Sequence, residues 1–431
     1  MTKKEQALDA IKKGIQDYCD SEFHFGFDPK NPVVRLHEPS FHAPEIYAMV
    51  QQSLTTFVTM GKQVRTFEEQ CATHFDSKYS IMNNSGSSAN LLGVAALANP
   101  AWKDHMKAGD EVIVPALSWA TTVWPLIQYN LIPVFVDCDP ATYNFDMNKL
   151  EAAIGPKTRA IMPVHVYGNP CDMDALMGLA KKHNLFVIED CCEAMGATYK
   201  GKSVGSFGDV GTMSLYYSHH ITTFEGGLCF TNSFEMTELL RVLRAHGWSR
   251  EADEKEKYIR EYPEIDPRFI FINVGYNLRP TEVQAVMGMH QLPRLKGFVE
   301  ARRAAQADYR KQLDKYSDVF QFQDEQKDGY SSWFGFGIVL KPNASFKPKD
   351  ITSFLNSKGI ETRPIIAGNM AKHPALKMFE HRVAGSLENC DTMMTRGFAI
   401  GCHHAVDAQA RAYVVECFNE FMKKQGVKAA A

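Results

Sequence analysis

No stretch of this sequence is fit to cross a bilayer, no two cysteines are spaced C-x-x-C, and neither sign of charge dominates. Each absence removes a class of protein. The uncharged stretch from Val112 to Asn130 is interrupted by Pro115 and Pro125 and carries Ser, Thr, Gln and Asn, so it reads as buried protein, not a membrane span. The opening residues MTKKEQALDAIKKGIQ alternate charged and apolar groups and hold no apolar core of signal-peptide length. The ten cysteines are scattered, apart from the adjacent Cys191 and Cys192, as buried thiols of a reducing compartment are. No metal site is expected from them. A net charge of -3 gives no reason to expect nucleic acid or an anionic membrane as partner. A cytoplasmic location is the expectation.

What is present is ordinary globular composition, 45% hydrophobic and 23% charged, in 431 residues, enough for one large and one smaller domain. Short β-branched runs alternate with helical stretches between about residues 80 and 232. The expected strands are EVIVPA (111–116), IPVFVD (132–137), RAIMPVHV (159–166), LFVIED (185–190), TMSLYY (212–217) and GLCFTN (227–232). A helix is expected over Met173 to Lys182. Such alternation predicts an α/β fold with a mostly parallel central sheet, whose ligands sit beyond the carboxyl ends of the strands. Thr281 and Gln284 have capping-box spacing, and the helix they open is expected to bury Val283, Val286, Met287 and His290. FGFGIVL (334–340) and a closing helix from Ala410 to Lys424 suggest a smaller α+β C-terminal domain. The division expected is an N-terminal arm over 1–40, a large domain over 41–290 and a small domain over 291–431. Apart from a short Ala-rich tail there is no low-complexity segment.

Three motifs carry chemistry. Asn84-Ser85-Gly86-Ser87-Ser88-Ala89-Asn90 precedes an apolar helix, so it is a phosphate-binding turn or simply a helix cap. Glu189 and Asp190 end the run LFVIED, where a carboxylate is either a turn acid or the partner of a buried cation. His219 and His220 follow a strand and precede Glu225-Gly226-Gly227, as bases, ligands or filler.

Taken together, residues 84–90, 116–122, 189–197, 201–214 and 214–227 resemble, in order and spacing, the sugar aminotransferase and dehydratase family of fold-type I (aspartate aminotransferase-like) pyridoxal-phosphate proteins. GATYKGKSVGSFGDVGTMS is especially characteristic, and the likeness continues through RAHGWSR (244–250), GYNLRP (275–280), WFGF (333–336) and ETRPIIAGN (361–369). The resemblance implies pyridoxal or pyridoxamine 5'-phosphate as cofactor. It implies that Ser87 and Ser88, with Ser214, hold the phosphate, that Trp119 stacks on the ring, and that Asp190 pairs with the ring nitrogen. Glu193 would support the cofactor's hydroxyl side, and Asn277 would reach the phosphate from the neighbouring subunit of a homodimer with shared active sites.

The aminotransferases of this family carry a Schiff-base lysine where this sequence has His219. Imidazole forms no stable imine but remains a base near neutral pH. The segment SHHITTFEGG therefore resembles the lysine-less branch, the 3-dehydratases of nucleotide-linked 4-keto-6-deoxy sugars, with His219 as base and His220 as a structural or substrate-contacting neighbour. Within that branch the chain is most similar to the GDP-4-keto-6-deoxymannose 3-dehydratase group. That group recharges its cofactor with L-glutamate and releases its product by hydrolysis with ammonia, in dideoxysugar and lipopolysaccharide biosynthesis. The iron–sulfur group acting on CDP-4-keto-6-deoxyglucose needs cysteines that are missing here, because none falls between Cys229 and Cys390. No iron–sulfur cluster is expected, although an N-terminal extension of about forty residues is more like that group. Arg250 and Arg363 are candidates for a carboxylate or phosphate of substrate, and His246 for the same pocket. A CDP-4-keto-6-deoxyglucose-type 3-dehydrase, a sugar aminotransferase and a non-catalytic regulatory cofactor-binding protein remain the alternatives.

Overall fold

The computed structural model describes residues 1–427, so the Ala-rich tail lies outside the described residues. Eight strands form the large sheet in the order 79–83, 227–231, 210–214, 186–190, 158–161, 111–115, 132–136 and 382–383. Gly227–Thr231 runs antiparallel to both neighbours, and the remaining pairings are parallel. The sheet is therefore mostly parallel and covered on both faces, which explains why its strands read as continuous apolar runs. The strand Phe186–Asp190 is buried along almost its whole length, acids included.

Local chemistry sets the element ends. Ser85 caps the helix Gly86–Leu97 by accepting the Ser88 amide at 3.1 Å. Asp172 caps Met173–His183, whose last turn holds Lys181, Lys182 and His183 against the negative end of the helix dipole. The capping box at Thr281 and Gln284 forms as expected over Glu282–Gln291. Its buried face differs, however: Glu282, Ala285, Val286, Met287, Gly288 and Gln291 are inside, while His290 is exposed. Polar Glu282 and Gln291 are drawn in because each satisfies buried partners, Glu282 taking the amides of Gly61, Gln63 and Val64.

Two expected strands are shorter than their apolar runs. Residues 159–166 form a continuous strand only over Thr158–Ile161: Pro163 has no amide to give, Val164 keeps a single bridge to Asp190, and the chain turns through a 3-10 segment at Val166–Gly168. Residues 212–217 leave the sheet after Ser214, and Tyr216 and Tyr217 are exposed.

A second sheet, all antiparallel, orders Phe320–Phe322, Phe336–Leu340, Gly397–Ile400 and Thr362–Arg363. It packs with Ala408–Lys424 around Phe320, Phe336, Phe398 and Phe418, and Val34 of the N-terminal arm joins that core. Among the described residues no helix is long and apolar enough to cross a membrane.

Candidate active site

The carboxyl ends of the parallel strands converge on one cleft. The turn after Tyr79–Asn83 brings Gly86 against Ser214, which ends the strand Val210–Ser214. A Cβ at position 86 would stand 2.5 Å from Ser214 Cβ and 3.1 Å from Cys192 Sγ, so glycine is needed for this approach. Ser85 already occupies the Ser88 amide, whereas the amides of Gly86 and Ser87 belong to the first helical turn and have no acceptor inside the helix.

Asp190 lies next to this turn, buried, and its carboxylate is aimed by three donors. Asn90 Nδ2 and Thr122 Oγ1 both donate to Oδ2 at 2.8 Å, and the Cys192 amide donates to Oδ1 at 3.2 Å. Thr212 Oγ1 in turn donates to Asn90 Oδ1 at 2.5 Å, fixing the amide's orientation. Asn90 stands in the turn motif and Thr122 and Thr212 in the segments that carry the resemblance, but their service to Asp190 is not legible there. Glu189 points elsewhere. It accepts the amides of Gly205, Phe207 and Gly208 at 2.7 to 2.8 Å, shaping the glycine-rich loop behind the sheet. Trp119 is the N-cap of Ala120–Gln128 and stands 58% exposed, an uncovered aromatic face at the cleft side of the strand Glu111–Pro115.

His219 sits beyond Ser214 with its ring centroid 5.0 Å from that of Phe334. Its Nδ1 is buried without a partner. Burial, reinforced by the positive Arg363 and Arg302, lowers its pKa to about 3, so the imidazole is neutral at physiological pH. His220 is fully enclosed, with Nε2 meeting Ser332 O at 3.1 Å, and its ionisation is likewise held down by burial.

Arg363 faces the same space. Its guanidinium lies 5.3 Å from the Phe334 ring and 5.8 Å from the Tyr167 ring, with Nη2 3.7 Å from Glu193 Oε1. Glu193 also accepts the Tyr167 amide at 3.1 Å. Burial, with the nearby Asp190, lifts the Glu193 carboxyl to about 7 despite Arg363. Tyr167 is itself unusual, a fully buried tyrosine at φ 53° that carries no sequence signal.

The remaining candidates lie apart. Arg250 is exposed with its guanidinium 5.2 Å from the Trp248 ring, and His246, at φ 65°, is near the same indole. Asn277 is exposed, its Oδ1 accepting from Arg279 Nε at 2.9 Å. Among the described residues no hydrogen bond or ion pair joins these three to His219, Asp190 or Arg363. Their segment does touch the turn, because the Asn84 amide donates to Leu278 O at 3.0 Å.

The mostly parallel large sheet, with a small antiparallel sheet beside it, is the fold-type I, aminotransferase-like architecture. The chain belongs to the DegT/DnrJ/EryC1/StrS aminotransferase family, whose model matches residues 42–419. It is 42% identical over 374 residues to the GDP-4-keto-6-deoxy-D-mannose 3-dehydratase of Yersinia pseudotuberculosis, covering 85% of this chain and 93% of that protein. It is 34% identical over 431 residues to the dTDP-4-dehydro-2,6-dideoxy-D-glucose 3-dehydratase of Saccharopolyspora spinosa, covering 97% and 93%. A solved GDP-4-keto-6-deoxymannose-3-dehydratase with a trapped PLP-glutamate geminal diamine superposes with a TM-score of 0.82 at 37% identity, over 89% of this chain and 99% of that one. Within the family, then, this enzyme groups with the nucleotide-sugar 3-dehydratases.

Proposed function

We propose that this chain removes the C3 hydroxyl of a nucleotide-linked 4-keto-6-deoxy sugar, using pyridoxamine 5'-phosphate that L-glutamate regenerates, with hydrolytic release of ammonia and a 3-deoxy ketone. The observation that carries the reading is His219: a neutral, largely enclosed imidazole where an aminotransferase needs a lysine amine.

The residues fit the cofactor. Gly86 leaves room at the turn, the amides of Gly86 and Ser87 with Ser214 suit a phosphate, and the oriented Asp190 suits a protonated ring nitrogen. Trp119 offers a stacking face. Glu193, whose carboxyl is pushed up to about 7, would serve the hydroxyl side. In a homodimer, Asn277 of one protomer would reach the phosphate of the other protomer's site, and His246 and Arg250 would line the same pocket. Pyridoxamine phosphate, when bound, supplies an amine for the sugar's ketone and a ring that accepts electron density.

The chain's own groups then have separate tasks. Asp190, held by Asn90 and Thr122, would keep a bound ring nitrogen protonated. His219 takes up a proton at Nε2, since Nδ1 is sealed, and lacks the amine that would recapture the cofactor covalently. His220 braces the loop through Ser332. Arg363 offers a carboxylate or phosphate two parallel donors.

A second reading concerns the sugar alone. The Saccharopolyspora enzyme aligns over 97% of this chain, arm included, which favours testing a dTDP-linked 2,6-dideoxy substrate beside the GDP-linked one. Incubation with glutamate and a panel of GDP-, CDP- and dTDP-linked 4-keto-6-deoxy sugars should yield a 3-deoxy sugar and ammonia from one member. A 4-amino sugar as the product would overturn the dehydratase reading in favour of an aminotransferase.

A further inference from the structure

The N-terminal arm is fitted to the small sheet instead of trailing from it. The Val34 amide donates to Gly359 O and the Glu361 amide to Val34 O, each at 2.9 Å, and the Leu36 amide donates to Glu361 Oε2 at 3.0 Å. His403 Nε2 meets Arg35 O at 3.0 Å. Two glycines make way for this crossing. A Cβ on Gly359, which sits at φ +76°, would collide with Pro32 O, and one on Gly401 would collide with Arg35 O. The end of the arm is fixed as well: Gln291 Oε1 accepts from Ser40 Oγ at 2.7 Å and from the Thr222 amide, in the loop after His219, at 3.3 Å.

The stitching has one chemical consequence. It makes Leu36 and His37 one wall of a small open pocket whose other walls include Ser218, Phe334 and Arg363. His37 is half-buried, its ring edge-on to Tyr217 at 4.5 Å between centroids, two residues before His219. Arg363 brings a guanidinium to this pocket whose nearest acid, Glu193, is at 3.7 Å and close to neutral. An open cation, an imidazole and an apolar wall suit a small carboxylate with a short hydrocarbon body.

We propose that His37 is a specificity-determining residue, which with Arg363 receives the carboxylate of the amino-acid donor. This rests on the reading of the enzyme as glutamate-recharged. In a carboxylate complex, an imidazole N–H of His37 donates to one oxygen while Arg363 engages the other. The arm thereby helps select the acidic donor over the uncharged sugar ring of the nucleotide-linked substrate that later fills the cleft.

Half-reactions separate this role from a structural one. His37→Ala should raise the KM for glutamate in the donor half-reaction about tenfold, the loss of one hydrogen bond to a charged group. With cofactor supplied as pyridoxamine phosphate, turnover of the sugar should stay within twofold. His37→Gln, which restores an N–H donor, should recover most of the glutamate KM. Calorimetry with glutarate, an unreactive dicarboxylate, on cofactor-free protein should show a matching loss of affinity in His37→Ala and recovery in His37→Gln. Equal losses in both half-reactions, or unchanged glutarate binding, would overturn the proposal. Should no sugar in the panel be dehydrated, the glutarate measurement still decides the role of His37, so the two failures are distinguishable.

Discussion

Asn90 Nδ2 stands 2.8 Å from Asp190 Oδ2, across a gap of one hundred residues in sequence, and Thr122 Oγ1 reaches the same oxygen at the same distance. A buried carboxylate meant to face a cofactor must be both desolvated and aimed, and these donors do the aiming. Replacing Asn90 with Ala removes one of them and takes from Thr212 one of its two acceptors, leaving the Glu189 carbonyl. Loss of such a hydrogen bond costs about 1 kcal/mol, or more when the acceptor is charged. Asn90→Ala should therefore weaken cofactor binding roughly five- to tenfold, read by absorbance titration, and Thr122→Val should do about the same. Unchanged affinity in both would show that Asp190 needs no aiming.

The outline of this site was legible in the sequence because its parts are local. The turn at Ser85-Gly86, the acids ending LFVIED and the histidines before Glu225-Gly226-Gly227 each sit where an element ends, and composition marks such ends. What escaped was long-range. Nothing near Asn90 in sequence announces Asp190, and nothing near His37 announces Arg363. The face of the helix Glu282–Gln291 was misread for a related reason. Periodicity counts apolar residues, whereas Glu282 and Gln291 are buried to satisfy amides and side chains from distant segments. Pro163 and the left-handed Tyr167 cut short a strand that its apolar run would have extended.

Gly86 should tolerate no side chain. A methyl group there would press on Ser214 Cβ at 2.5 Å and on Cys192, and overpacking of this kind costs about 1–3 kcal/mol. Gly86→Ala should lower the melting temperature and cut cofactor affinity, and Ser214→Gly in the same chain should restore part of the stability. Full cofactor binding by Gly86→Ala would remove the turn from the phosphate site.

Glu193 gives a pH signature of definite sign. Its folded pKa of about 7 lies above the ordinary 4.5, so the folded chain holds a proton that the unfolded chain has released. Stability from this group is complete below pH 4.5 and is lost as pH rises through 7. In cofactor-free protein, denaturation of Glu193→Gln should lack this component. The stability difference between wild type and variant should shift against the wild type between pH 5 and 8. A difference independent of pH would mean that Glu193 is already ionised in the folded chain.

Arg302 is the least expected group behind the site. It is buried, with no carboxylate within ion-pair distance among the described residues, and Nη1 donates only to the carbonyls of Trp333 and Phe334 at 3.3 and 3.2 Å. Its charge acts with burial to lower the pKa values of His219, His220, His403 and His404. A positive neighbour disfavours the imidazolium, which keeps His219 an unprotonated base far below its ordinary pKa. The folded pKa of about 3 is below the unfolded 6.5, so this group's contribution to stability is present above pH 6.5 and declines as pH falls toward 3. Arg302→Met removes the charge and takes a donor from two carbonyls, of which Trp333 O keeps the Cys402 thiol, so it should destabilise the chain by about 1–3 kcal/mol at pH 7. It should also move the His219 titration upward, as followed by NMR of labelled histidine, and soften the acid-side loss of stability. Arg302→Lys keeps the charge and should leave His219 low. If His219 titrates at the same pH in Arg302→Met as in the wild type, burial alone sets its pKa and Arg302 serves only to cap the two carbonyls.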